Sequence, residues 1–89
     1  MTTTLQKFED CVALREALDW RGKGWQSLTY SRESGEWVAE VHWHESRFSH
    51  RCLYLRTSTP SFDAAVQKLL IEMQHIYLGV VADTGRVVA

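Results

Sequence analysis

Three histidines and one cysteine are spaced so that they could bind a metal ion. His42 and His44 flank Trp43 on a predicted strand, so their side chains point to one face, as a zinc site requires. A third ligand would come from His50, which lies opposite His42 only if the intervening turn has three residues. A turn one residue longer or shorter moves His50 and Cys52 to the other face. Histidines on a solvent-facing sheet surface usually bind nothing, so we expect no metal and no other cofactor.

The two cysteines, Cys11 and Cys52, are the candidate nucleophiles. A catalytic thiol needs a partly exposed, electropositive setting, whereas both cysteines are predicted to be mostly buried. The sequence contains no glycine-rich phosphate loop, no Gly-x-Ser-x-Gly motif and no paired-carboxylate motif. We therefore expect a protein without enzymatic activity, in which both thiols are free.

Arginines on the third predicted strand are the candidates for nucleic-acid binding. The arginines spaced along this strand are Arg47, Arg51 and Arg56, of which Arg47 and Arg51 share a face. The 10 Lys and Arg residues are balanced by 11 Asp and Glu, which gives a formal net charge of −1. Such a balance offers little excess charge to neutralise phosphates. An RNA- or DNA-binding domain is therefore the alternative function.

The aromatic residues favour a protein-binding surface. Four Trp, three Tyr and three Phe in 89 residues exceed what a core this small easily encloses. Trp20 and Trp25 flank a basic, glycine-containing loop, and Trp, Tyr and Arg often anchor interfaces. It stays open whether Trp25 instead closes over the end of the sheet as part of the core. The predicted partner-binding residues are Trp20, Arg21, Lys23, Trp25, Glu40, His42 and His44.

Alternation of period two predicts the strands that carry these residues. From Glu36 to His44, Trp, Ala and Val alternate with Glu and His, and only Val38 breaks the pattern. A similar alternation follows Trp25, and a third strand is predicted over residues 48–57. Connections this short favour antiparallel neighbours. The predicted core-facing residues are Leu28, Tyr30, Trp37, Ala39, Val41 and Trp43.

An amphipathic helix is predicted on each side of the strands in the sequence. Thr3 is placed to cap the first helix. Arg15 projects into its apolar stripe, and we expect its head group to reach water rather than to form a buried ion pair with Glu40. The second helix is predicted to start with Thr59 as its cap and to end at Gly79.

These elements predict an α+β fold in the order α-β-β-β-α, a single domain over residues 1–89. Both helices should cover one face of a three-stranded antiparallel meander. Residues 79–89 are predicted to form a C-terminal β tail of two short apolar segments. Because an apolar β segment invites association, we expect a homodimer through this tail or a sheet edge. No apolar stretch is long enough to cross a membrane, so we expect a soluble, cytoplasmic protein.

The element order resembles that of double-stranded-RNA-binding domains. That family reads RNA with a basic start to its second helix and a loop containing Pro and His between its first two strands. Here the helix starts Thr59-Pro60-Ser61-Phe62-Asp63-Ala64, and the loop is Arg32-Glu33-Ser34-Gly35-Glu36. Neither supplies the phosphate contacts that this mode of binding needs.

A second resemblance covers Gly35 to Met73. It is similar to small proteins encoded by phages and prophages, in which a Gly-Glu-Trp-Val-Ala-Glu-Val strand and one more strand precede a Thr-Pro-Ser-Phe-Asp-Ala-Ala helix. Antitoxins of the HicB type share a comparable passage. The resemblance implies a non-enzymatic phage protein that binds a host or bacterial component, such as an inhibitor of CRISPR defence.

Overall fold

Two helices and three strands follow one another in the predicted order. The computed structural model describes residues 3–20, 22–44 and 52–84, with the backbone alone for 81–84. The elements are α1 (Thr4–Leu18), β1 (Trp25–Ser31), β2 (Glu36–His44), β3 (Cys52–Thr59) and α2 (Phe62–Thr84). The predicted α+β fold with an antiparallel meander is therefore confirmed.

The first hairpin has the predicted alternation. β1 pairs with β2 so that Trp25 lies opposite His42 and Tyr30 lies opposite Trp37. In the turn, the Gly35 N–H donates a hydrogen bond to the Ser31 carbonyl at 2.9 Å. Gly35 has a φ of 70°, a left-handed conformation that a residue without Cβ adopts at little cost.

β3 is described over residues 52–59, so the predicted strand at 48–57 is confirmed over residues 52–57, and its first four residues lie outside the described part of the chain. Cys52 pairs with His44 and Tyr54 pairs with His42, so the register left open by the sequence is not the one in which His50 lies opposite His42. The observed register places Leu55 opposite Val41 and Leu53 opposite Trp43. The register with His50 opposite His42 would place Arg51 and Ser49 at those core positions, so burial of the leucines favours the observed pairing. Residues 45–51 lie outside the described residues.

Both helices cover the same face of the sheet, which we call the inner face; the opposite one is the outer face. One core cluster joins both helices to β2, and its buried members are Cys11, Leu18, Ala39, Val41, Trp43, Ala65, Leu69, Leu70 and Met73. The prediction that both helices lie on one face is confirmed. Leu28 and Trp37 are partly buried against this cluster, as predicted. Tyr30 also lies on the inner face, but it is 51% exposed.

Helix α2 starts later than predicted. The Ala64 N–H donates to the Ser61 hydroxyl oxygen at 3.2 Å, so Ser61 is the cap. Thr59, the predicted cap, is the last residue of β3, and its hydroxyl donates to the Ser61 carbonyl at 2.6 Å. The turn between β3 and α2 is thus held by hydrogen bonds from Thr59 and Ser61.

Helix α2 also runs past Gly79 to Thr84. The prediction of a first β segment at residues 80–82 is therefore wrong, and the predicted second segment at residues 86–89 lies outside the described residues. A glycine inside a helix costs about 1 kcal/mol relative to alanine. Packing of Tyr77 and Val80 against the core offsets that cost. Over the residues that the structure describes, neither helix has both the length and the hydropathy needed to cross a bilayer.

Candidate functional site

An aromatic row crosses all three strands on the outer face. It consists of Trp25 from β1, His42 from β2 and Tyr54 from β3, which the strand pairing brings side by side. The Trp25 and His42 ring centroids are 3.8 Å apart with an interplanar angle of 15°. The His42 and Tyr54 centroids are 5.4 Å apart with an angle of 14°. The imidazole is therefore stacked between the two larger rings.

This stacking decides which parts of the rings reach solvent. Because the rings face one another across the strands, the row presents ring edges outward and leaves the outer ring faces of Trp25 and Tyr54 at its two ends. Trp25 is 49% exposed and Tyr54 is 63% exposed, so the row is an open surface. Large rings held rigidly with a polar atom at the edge are the side chains that anchor protein interfaces most often.

Glu40 fixes the row from the neighbouring position on β2. One carboxylate oxygen lies 3.1 Å from His42 Nε2, and the other lies 3.4 Å from Arg56 Nε. Glu36, four residues before Glu40 on β2, accepts a hydrogen bond from the Ser58 hydroxyl. These contacts hold the imidazole in orientation and place the Arg56 Nε beside the Glu40 carboxylate.

A buried carboxylate positions the start of β1 and with it Trp25. The side chain of Asp19, which follows α1, is fully buried. Its oxygens accept hydrogen bonds from the Gly24 N–H and, at 3.2 Å, from the His44 N–H. Arg15 pairs with Asp19 at 3.0 Å and donates to the Gln26 side-chain oxygen at 3.0 Å. These contacts tie the end of α1 to both strands beside Trp25.

The environment of Arg15 therefore differs from the prediction. Its head group does not reach water, because the residue is buried and paired, and its main partner is Asp19 rather than Glu40. A carboxylate one helical turn away satisfies the guanidinium without a path to solvent.

Gly24 allows this approach because it has no side chain. A Cβ on Gly24 would lie 2.2 Å from the His42 carbonyl oxygen and 2.5 Å from an Asp19 carboxylate oxygen. Those atoms belong to the backbone of β2 and to the buried network, so neither can move freely. Glycine at this position lets the chain enter β1 close against β2.

The structure brings together some of the residues predicted to bind a partner. Trp25, Glu40 and His42 form one site on the outer face, and His44 lies on the same face opposite Cys52. The other predicted residues lie at or beyond the loop before β1. The Trp20 side chain is exposed near the end of β2, and its backbone N–H donates to the His44 carbonyl at 3.3 Å. Lys23 is also exposed, and Arg21 lies outside the described residues.

The partner-binding prediction did not include Tyr54. Its position follows from the register of β3, which the sequence left open. The network around Asp19 was also missed, although the four-residue spacing from Arg15 on a predicted helix is a signal for an ion pair.

The remaining candidates differ in how far the structure describes them. Within the described ranges, no group of three or more His, Cys, Asp or Glu side chains is placed to hold a metal ion, and His50 lies outside those ranges. Tyr54, rather than His50, lies opposite His42. Arg47 and Arg51 also lie outside the described residues, whereas Arg56 pairs with Glu40 on the outer face.

The two cysteines are both free and have opposite environments. Burial, with a smaller contribution from the nearby Asp10 charge, raises the pKa of the Cys11 thiol to about 12. Cys11 is therefore a protonated core residue at neutral pH and not a nucleophile. Cys52 is exposed on the outer face, so the prediction that it is buried is wrong.

No protein-family model, curated protein or solved structure matches the chain.

Proposed function

We propose that the chain is a non-enzymatic protein-binding module whose outer sheet face contacts a partner protein. The observation that carries the proposal is the aromatic row of Trp25, His42 and Tyr54, stacked in a fixed geometry on the face away from both helices. Stacking and the Glu40 contacts already order these rings in the free chain. Binding therefore loses less side-chain entropy than it would with freely rotating rings.

A protein partner is favoured over a nucleic acid by two features of this face. Proteins that bind single-stranded nucleic acid stack bases on ring faces, whereas most ring faces in this row are covered by a neighbouring ring of the row. Phosphate binding also needs an excess of positive charge, and on this face the Arg56 charge is balanced by Glu40. Glu36 adds a negative charge to the same face.

The same features define the chemistry of the partner. The centre of its contact surface is non-polar and covers the aromatic row, while hydrogen-bond donors or cations face Glu36 and Glu40. The resemblance to small phage proteins adds the biological setting. We infer a bacterial partner, and inhibition of a defence system such as CRISPR is the role that this setting favours.

The proposal is tested by replacing one exposed aromatic residue on each face. The full chain is immobilised, proteins are captured from nuclease-treated bacterial lysate, and the affinity of the purified captured protein is then measured. Trp25→Ala removes the exposed end of the row and should weaken binding about 30-fold or more, as expected for an interface anchor. Tyr30→Ala is the matched control, since Tyr30 is equally exposed on the inner face of the same strand.

Circular dichroism must show that both variants keep the fold. Equal loss of affinity in Trp25→Ala and Tyr30→Ala would contradict the proposal, since only one of these residues lies on the outer face. Capture that occurs from untreated lysate, disappears after nuclease treatment and falls steeply with salt would instead favour the nucleic-acid alternative.

A further inference from the structure

The hydrogen bonds at the end of β2 show which backbone N–H and C=O groups of β3 point out of the sheet. The His44 N–H donates to the Asp19 carboxylate and its carbonyl accepts from the Trp20 N–H, and the His42 carbonyl points at Gly24. The backbone groups of His42 and His44 therefore face the β1 side.

Backbone direction alternates along an antiparallel strand, so the odd-numbered residues of β2 face β3. Their partners Leu53, Leu55 and Thr57 make the hydrogen bonds between these strands. The N–H and C=O groups of Tyr54, Arg56 and Ser58 then point out of the sheet. In the described part of the chain no strand pairs with this edge, which leaves it able to pair with another strand.

A groove runs between this edge and α2. Its volume is about 320 Å³. It is lined by Arg56, Thr57, Ser58, Lys68, Ile71 and Glu72. Ile71 is 42% exposed in the groove wall, and Lys68 and Glu72 place opposite charges one helical turn apart on the same wall. A second copy turned by 180° places its negative group opposite this positive group and its apolar centre opposite this apolar centre. The wall is therefore complementary to a second copy of itself.

We propose that the β3 edge and the α2 wall of this groove bind a second copy of the chain, forming a two-fold symmetric dimer with a continuous six-stranded sheet. The two-fold axis passes by Leu55, and β3 pairs antiparallel with β3 of the second copy. This interface is separate from the partner-binding function proposed above and does not depend on it.

The side chains of the outer face select this register. With the axis at Leu55, Tyr54 lies opposite the second copy's Arg56, so a guanidinium covers the free end of the aromatic row. Moving the axis to Arg56 would place the two arginines directly opposite each other, which like-charge repulsion disfavours. Moving it to Tyr54 would leave Arg56 opposite the second copy's Cys52 and lose the stacking.

The helices support the same arrangement. Because the second copy is reversed, its α2 also runs in the opposite direction, and Lys68 lies toward the second copy's Glu72. The exposed Ile71 side chain of each copy lies on the helix wall that faces the other copy and is covered there. The dimer leaves both outer faces on one side of the extended sheet, where each aromatic row stays accessible.

Sedimentation equilibrium of the full chain tests this inference. The mass of the wild-type chain should rise with concentration from 10.3 kDa toward twice that value. Lys68→Glu, which lies off the outer face, should weaken the dimer about tenfold because the two-fold axis repeats the repulsion from Glu72. The double variant Lys68→Glu with Glu72→Lys restores opposite charges across the axis and should recover the wild-type mass.

Arg56→Glu provides an independent test at the strand edge. It should also dissociate the dimer, whereas Arg32→Glu, an equal charge change in the exposed turn between β1 and β2, should not. A wild-type chain that stays at 10.3 kDa at every concentration would overturn the inference, and so would a double variant no better than Lys68→Glu alone. Failure of dimerisation with Trp25-dependent partner binding intact would reject this interface and leave the proposed function standing.

Discussion

Two aromatic clusters lie on opposite faces of the same sheet and are built differently. On the inner face, Trp37 meets Tyr30 at 5.2 Å with a tilt of 55° and meets Phe62 edge-on at 4.8 Å. On the outer face, the rings of the aromatic row are nearly parallel. Edge-on and stacked rings are both common in proteins, and the two clusters differ in their surroundings: the outer row also has the Glu40 carboxylate beside it.

The comparison separates two roles for exposed aromatic residues. Trp37 packs against the core cluster, so the inner group extends the core to the end of the sheet. Within the described ranges no helix covers the outer row, which is fixed instead by Glu40 and by the network of Asp19 and Arg15. The inner cluster therefore contributes mainly to stability, and the outer row is available for binding.

The largest expected effect comes from breaking the buried network behind the outer row. Asp19→Ala leaves the Arg15 guanidinium buried without its counter-charge and should cost about 3–5 kcal/mol of unfolding free energy. Urea denaturation measures this loss. Glu16→Ala is the control, because Glu16 contacts the same guanidinium at 3.7 Å from an exposed position and should cost about 0–1 kcal/mol. Similar costs for both variants would mean that Asp19 does not anchor the network.

Truncating one tryptophan in each cluster tests the comparison itself. Trp37→Ala should cost about 2–4 kcal/mol, since it removes a large ring packed against the core. Trp25→Ala should cost about 1 kcal/mol or less, because half of that side chain is already in water. Denaturant unfolding of the two variants gives both values. A reversed order would place the stabilising aromatic cluster on the outer face.

The cysteines report whether each side of the sheet is closed to water. The folded state keeps the Cys11 proton up to about pH 12, whereas the unfolded chain releases it near pH 9. The unfolded state therefore binds fewer protons above pH 9, and stability should fall by about 1.4 kcal/mol per pH unit toward pH 12. Denaturation across this range, compared with Cys11→Ala, isolates the contribution.

Iodoacetamide provides the matching chemical readout at neutral pH. It should modify Cys52 on the outer face and leave Cys11 unmodified until the protein unfolds. Equal modification of both thiols in the folded protein would show that the core on the inner side is open to reagent.

The smallest expected effect on stability comes from Glu40. Its contacts with His42 and Arg56 are partly exposed, so Glu40→Gln should change the unfolding free energy by less than about 1 kcal/mol. Partner affinity should fall more than stability, because the substitution loosens the imidazole and removes a charge from the binding face. An unchanged affinity measured by calorimetry would remove Glu40 from the site.

The sequence predicted those features that depend on local periodicity. Alternation on β2 correctly placed Val41 and Trp43 on the inner face and His42 on the outer face. Thr3 was identified as the cap of α1, and its hydroxyl accepts the Gln6 N–H at 3.1 Å. These features need only neighbouring residues, so the pattern of the chain contains the information.

Features that depend on distant residues were not predicted. Several registers of β3 keep the leucines facing inward, and the choice depends on which residues meet Trp43 and Val41 across the hairpin. Gly79 was taken as a helix end because its packing environment cannot be read locally. Tyr54 joined the candidate site only once the register of β3 was known.

Hydroxyl-radical footprinting of the complex with the captured partner tests the central claim most directly. In the free protein, the exposed rings of Trp25, Tyr54 and Tyr30 should all be oxidised. We predict that partner binding protects Trp25 and Tyr54 and leaves Tyr30 at its free rate. Protection of Tyr30 with unchanged oxidation of Trp25 and Tyr54 would contradict the assignment of the outer face as the binding surface.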